Sequence, residues 1–280
     1  MKITLLGTGS PLPSATCAGP STLVQSGGQN IVVDAGRGVI MRLVGAMCPP
    51  PLVSAVLLTH LHSDHICDLN DIVTTRWIAS PAATALPVYG PVGTKKMVDG
   101  LLAMLSLDEE YRMAHHDDLR AGSGMVVDVH EVEPGESFTI GDVNVTVHAT
   151  DHRPVAPTVG FRFAHDNVVA ALAGDTVPCD GLYDMCRDAD FYVQTVLRED
   201  LVRTFAPLVP TGERFLDILD YHSTVQQAAQ TATKCNVKTL VLTHYVPAIQ
   251  PGQEDEWRAM AAEHFSGEII VGPDLTSVEK

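Results

Sequence analysis

The chain has no apolar run that could cross a membrane. Nothing in its 280 residues approaches the ~20 consecutive apolar residues a spanning helix needs. The N-terminus reads as a first strand, too short in its apolar part and without the cleavage site of a signal peptide. Six cysteines are scattered with no CxxC pair, which excludes a disulfide framework and a zinc ribbon. A reducing cytoplasm is the expected setting. Basic residues are also scarce: 18 Lys and Arg against 34 Asp and Glu give a net charge of −16. Nucleic-acid binders normally carry a basic face, so this balance weighs against a long RNA. Gly7-Thr8-Gly9-Ser10 follows a strand but continues into no GxGxxG. With Pro11, Pro13 and Pro20 in it, the loop Gly9–Pro20 reads as a rigid rim. There is no internal repeat, linker or low-complexity segment.

What is present is concentrated in six residues, His60-Leu61-His62-Ser63-Asp64-His65, directly after the apolar run Ala55–Leu58. Imidazole nitrogen and carboxylate oxygen are the donors that suit zinc and related transition metals. The apolar run reads as a buried strand, which places the cluster where a strand gives way to a loop. Cys67 follows closely and reads as a small buried hydrophobe. With 45% hydrophobic and 19% charged residues, the chain can build a sizeable core.

Strands are expected at 2–8, 22–34, 88–90, 125–133, 138–148, 158–163, 168–173 and 239–242, with turns at Gly135 and Gly141-Asp142. Helices are expected at 38–47, 68–79 (ended near Pro81), 94–105, 182–187, 225–234 and 254–265. This order predicts an α/β protein: two sheets covered by helices on their outer faces, in one domain spanning 1–280.

Three more strand ends carry donors. His152 follows the strand at 143–149, Asp175 the strand at 168–173, and His244 the strand at 239–242. His148 competes with His152 for the ligand position. Histidines 115, 116, 130, 165 and 264 lack such placement and are expected at the surface.

The six-residue run resembles the HxHxDH signature of the metallo-β-lactamase superfamily, an αββα sandwich of two mixed sheets that holds two metal ions. The likeness spans nearly the full length and narrows to the ribonuclease Z-like branch. It is carried there by Gly7-Thr8-Gly9 through Pro13, Val33-Asp34-Ala35-Gly36, Asp151-His152-Arg153, Ala173-Gly174-Asp175-Thr176, His222-Ser223-Thr224 and Leu242-Thr243-His244. The resemblance implies that His60, His62 and His152 hold one zinc and Asp64, His65 and His244 the other. Asp175 would bridge them, with Asp34 orienting a ligand histidine; manganese or iron would suit the same donors. It also implies a homodimer.

Three departures stand out. The branch's long tRNA-gripping arm is absent, only residues 153–174 separating His152 from Asp175. The branch's His-Glu-Ala-Thr-type segment is replaced by Val193-Gln194-Thr195-Val196, and Arg198–Leu219 reads as an insertion. Together with the charge, these departures lead to a small-molecule substrate, with tRNA set aside. The expected activity is hydrolysis of a small phosphodiester by metal-activated hydroxide. Asp64 would take the water's proton and His222 would serve the leaving oxygen, unless His222 merely flanks a helix capped by Ser223 or Thr224. A lactone, carboxylic ester or aryl sulfate is the alternative substrate class.

Overall fold

The computed structural model describes residues 1–80, 84–250 and 252–280. Pro81, to which the end of a helix was ascribed, lies outside the described residues. One sheet takes β1 (Lys2–Gly7), β2 (Ser21–Ser26), β3 (Gln29–Val33), β4 (Ala55–Leu57), β5 (Leu86–Gly90) and β6 (Val127–Glu131). The second takes β7 (Ser137–Ile140), β8 (Val143–Ala149), β9 (Val159–His165), β10 (Val168–Leu172), β11 (Phe191–Leu197), β12 (Thr239–Val246) and β13 (Glu268–Ile270). The last strand, β14 (Ser277–Glu279), returns to pair antiparallel with β1.

Turn chemistry divides the apolar runs. Residues 22–34 read as one stretch, but Gly27 and Gly28 at φ 57° and 73° fold it into the hairpin β2–β3. Positive φ at both positions is what a two-residue hairpin turn requires. The hairpin β9–β10 turns at Asp166-Asn167, also at positive φ. β11 carries no expectation from sequence, yet all seven of its residues are buried and it runs parallel between β10 and β12. A strand buried on both faces shows no alternation to betray it.

The ten helices among the described residues are α1 (Val39–Gly45), α2 (Ser63–Ile66), α3 (Leu69–Ala79), α4 (Thr94–His115), α5 (Asp117–Ala121), α6 (Asp180–Cys186), α7 (Glu199–Phe205), α8 (Gly212–Asp217), α9 (Val225–Lys234) and α10 (Glu254–Ala262). α4 runs ten residues past its expected end at 105, and its second half carries the i,i+4 pair Asp108–Arg112.

Between the sheets, Leu5, Val24 and Ile31 meet Val145, Phe161 and Phe163. Each buried phenylalanine contributes about 1.5–3 kcal/mol. α1, α3 and α4 cover the first sheet through Leu43, Trp77 and Val98. α6, α9 and α10 cover the second through Met185, Ala229 and Trp257. The layers run helix, sheet, sheet, helix, which is the expected αββα sandwich. β8, β10 and β12 point the same way, so the loops after them open on one rim. The amide of Val159 donates to the Thr59 carbonyl at 2.9 Å, tying the end of β4 to that rim.

Candidate metal centre

All seven metal-ligand candidates meet at this rim. His60 and His62 lie in the loop after β4, and Asp64 and His65 in α2. His152 follows β8 and Asp175 follows β10. His244 is not past the end of β12 but inside it, at φ 49°. The register slips there, Thr195 facing Thr243 and Leu197 facing Val246. Such a bulge re-aims a side chain that regular pleating would place elsewhere.

The donors fall into two groups, His60, His62, His152 and Asp175 in one, and Asp64, His65 and His244 in the other, each with ligand atoms within 4.8 Å of one another. Asp175 Oδ2 stands between them. It is 3.9 and 3.8 Å from Nε2 of His60 and His152, and 3.4 and 3.7 Å from Nε2 of His65 and His244. Asp64 Oδ2 is 3.4 Å from His244 Nε2 and 3.7 Å from His65 Nε2. Asp64 Oδ2, Asp175 Oδ1, His65 Nε2 and His244 Nε2 are buried with no hydrogen-bond partner. Orphaned donors and acceptors of this kind cost free energy unless something binds them. A divalent cation satisfies all four, and the donor chemistry fits it.

Electrostatics agrees. Burial pushes His60 well below the ordinary imidazole range and lowers His62 and His152, leaving neutral rings with free lone pairs. Burial pushes His65 the same way, but the Asp175 and Asp34 carboxylates outweigh it and hold the ring well above its usual value. Burial would raise Asp175, yet His244 and His65 hold it well below the carboxylate range. The carboxylates thus draw positive charge to this point, a role a cation takes over from protons when it binds.

The surrounding groups fix the rings. Asp34, held at φ 61°, takes a hydrogen bond from His65 Nδ1–H at 2.8 Å. Its carboxylate also accepts from the Thr59 amide and hydroxyl. The Thr59 hydroxyl lies 3.1 Å from His60 Nδ1, so one aspartate steadies an imidazole of each group. His152 Nδ1–H donates to the Tyr221 carbonyl at 2.8 Å, a contact no sequence signal announces. Glycine packs the floor: a Cβ on Gly36 would sit 2.5 Å from the Asp64 carbonyl oxygen. Asp34→Asn is expected to lower metal affinity by about 10–100-fold, the usual scale for losing such a partner. Competition with a zinc chelator measures it; unchanged affinity would show Asp34 to be structural only.

His222 also points inward. Its Nε2 is 3.2 Å from Asp175 Oδ2, and its Nδ1–H donates to the Ile218 carbonyl at 3.0 Å. It does not cap the following helix: Thr224 caps α9, in a capping box with Gln227. Ser223, the other cap considered, donates instead to the Thr176 carbonyl. His148 drops out as a ligand. Val147 faces the core, so pleating turns His148 to the opposite face, beside Arg162. Histidines 115 and 116 are exposed, but 130, 165 and 264 are half-buried. Cys67 is exposed at the end of α2, not buried.

Residues 29–245 match the beta-lactamase superfamily domain. The chain is 50% identical over 281 residues to a protein named ribonuclease Z from Mycolicibacterium gilvum, covering 100% of this chain and 96% of that protein. It is equally identical to a ribonuclease Z from Mycobacterium bovis, covering 98% of it. Among solved structures it resembles the metallo-beta-lactamase fold protein YhfI from Bacillus subtilis, with a TM-score of 0.74, 21% identity and 99% of each chain covered. It also resembles the short form of human tRNase Z, with a TM-score of 0.72, 23% identity, and 100% of this chain and 99% of that one covered. At those identities the two structures speak for the fold alone.

The relatives overturn the expectation of a small-molecule substrate with tRNA set aside. Alignments of 281 residues against 280 leave no room for a long arm in the mycobacterial proteins either, so its absence does not separate this chain from them. The segment Arg198–Leu219 falls within the same matched length and is no insertion peculiar to this chain. A net charge of −16 sums the whole surface, whereas a substrate meets the field of one rim. The fold, the matched domain and the full-length relatives together place the chain in the beta-lactamase superfamily, as a metal-dependent hydrolase of the ribonuclease Z-like branch.

Proposed function

We propose that the protein is a dinuclear zinc endoribonuclease that cuts tRNA precursors. The observation that carries this reading is the convergence of seven His and Asp donors on Asp175, in a chain half identical throughout to proteins named ribonuclease Z. His60, His62 and His152 would hold one ion and Asp64, His65 and His244 the other, with the Asp175 carboxylate available to both. Bound there, two divalent ions supply an activated water and Lewis acidity toward the phosphodiester. Asp64 turns Oδ2 toward His65 and His244, which leaves Oδ1 to take a proton from the attacking water. With the Nδ1–H of His222 committed to Ile218, Nε2 is the atom that serves the leaving oxygen. Asp34, Thr59 and the Tyr221 carbonyl keep the ligand rings in place.

The metal-reconstituted protein should carry two zinc ions per chain and cleave a tRNA precursor transcript, with activity lost to a chelator. A fully loaded protein that leaves the transcript intact would sink the reading. No specific observation favours the lactone, ester or sulfate alternative, since both grounds for a remodelled pocket are shared with the relatives.

The chain works in this reading as one domain, the first strand paired to the last. Its six free cysteines support a cytoplasmic setting, and no helix among the described residues is long and apolar enough to cross a membrane. A homodimer is part of the proposal. The exposed apolar face of Met41, Val44, Met47 and Leu52 supports it, and a solution mass of one chain would refute it.

A further inference from the structure

The segment from α7 to the turn Ile218–Asp220 lines, between Arg203 and Leu216, a cleft of about 600 Å³. That is within the ~300–1,000 Å³ range of small-ligand sites. Its walls are apolar, from Pro207, Val209, Pro210 and Leu216, with Arg203 and Arg214 among the lining. The two arginines differ. Arg203 is neutralised by Glu199, 2.7 Å away. Arg214 is exposed and makes no ion pair among the described residues. Ten of the other seventeen Lys and Arg side chains, Arg203 included, are tied to carboxylates; Arg214 is one of eight that make no such pair among the described residues, and of the two arginines in the cleft it is the one left to meet an anion. Leu208 and Phe205 are exposed on the same segment, 74% and 42%, without a covering element.

This segment is also joined to the metal centre. Leu216 of the cleft wall lies two residues before Ile218, whose carbonyl accepts from His222. The Tyr221 carbonyl accepts from His152. Phe215, Ile218 and Leu219 pack on Val202 of α7 and on Leu197 and Val246, the last residues of β11 and β12, fastening the segment to the rim.

Resting on the endoribonuclease reading, we propose that this cleft binds one unpaired nucleotide of the RNA, its base against the apolar walls and its phosphate on Arg214. Unstacked bases lie on apolar and aromatic side chains with little regard to sequence, while arginine grips phosphate with two parallel hydrogen bonds. Glu213, also in the lining, would repel a phosphate but accepts hydrogen bonds from an exocyclic amino group. It therefore places the base, and Arg214 the phosphate. Occupation of the cleft and the placement of His222 and His152 then depend on one packed element.

The test uses the zinc-loaded full chain with two substrates, a tRNA precursor transcript and bis-p-nitrophenyl phosphate, a lone phosphodiester that carries no neighbouring nucleotide to fill the cleft. Arg214→Gln and Val209→Asp should each raise KM for the transcript about tenfold, the scale of one charge-assisted contact. Arg214→Gln should also reduce the slope of log KM against log salt by about one, and Arg214→Lys should restore that slope. Turnover of the small diester should not change. Transcript KM values within about twofold of wild type, or an equal loss on both substrates, would overturn the inference. If the wild-type protein cleaves the diester but never the transcript, the endoribonuclease reading itself falls and takes the cleft proposal with it.

Discussion

Asp175→Ala is expected to reduce hydrolysis by about a thousandfold or more, on the order of 4 kcal/mol of transition-state stabilisation. Asp175 Oδ2 lies within 4 Å of imidazole nitrogens of both donor groups, reaching His60 and His152 on one side and His65 and His244 on the other. Without it, the first group loses one of its donors and both groups lose the charge between them. Metal per chain should fall together with activity, measured by elemental analysis after gel filtration. Asp175→Asn keeps the shape and removes the charge, so it should share most of the loss. A variant that retains two metals and wild-type turnover would refute the placement of Asp175 at the centre.

His222→Ala should behave differently. A group that moves a proton in the transition state is worth about 10²–10⁴ in rate. His222 belongs to neither donor group, so the metal content of the variant should match wild type while kcat falls by that factor. Thermal stability separates this from a structural role. α9 keeps its cap in Thr224 and Gln227, and the Ser223 hydroxyl keeps its bond to Thr176, so the melting temperature should hardly move. A large loss of stability with kcat unchanged would mean that His222 only holds the turn. Lost metal would mean that it is a ligand.

The metal cluster was legible because its donors are local or stand just past apolar runs. His60 to His65 lie within one loop and one short helix, and His152 and Asp175 follow β8 and β10. Alternation also decides between His148 and His152, since Val147 must face the core. His244 was found for a partly wrong reason: it sits within β12, turned inward by a bulge whose partner strand, β11, the sequence did not announce. Nor did the sequence announce the Ile218 and Tyr221 carbonyls as partners of His222 and His152, because any residue offers the same carbonyl.

The absence of an arm and the charge of −16 were read as evidence about substrate, and both were bulk properties. Length between motifs says nothing about what other surface meets the substrate, and net charge does not say where the unpaired charges lie.

By itself, the sequence determined which side chains could bind metal and that strands would carry them to loops, because residue type and apolar periodicity are local properties. Only the tertiary structure decided that Asp175 lies between two donor groups, that Asp34 steadies a ring in each, and that the segment 199–220 joins an open cleft to His222. Those relations depend on the register between strands distant in sequence, and on backbone groups that no side chain distinguishes.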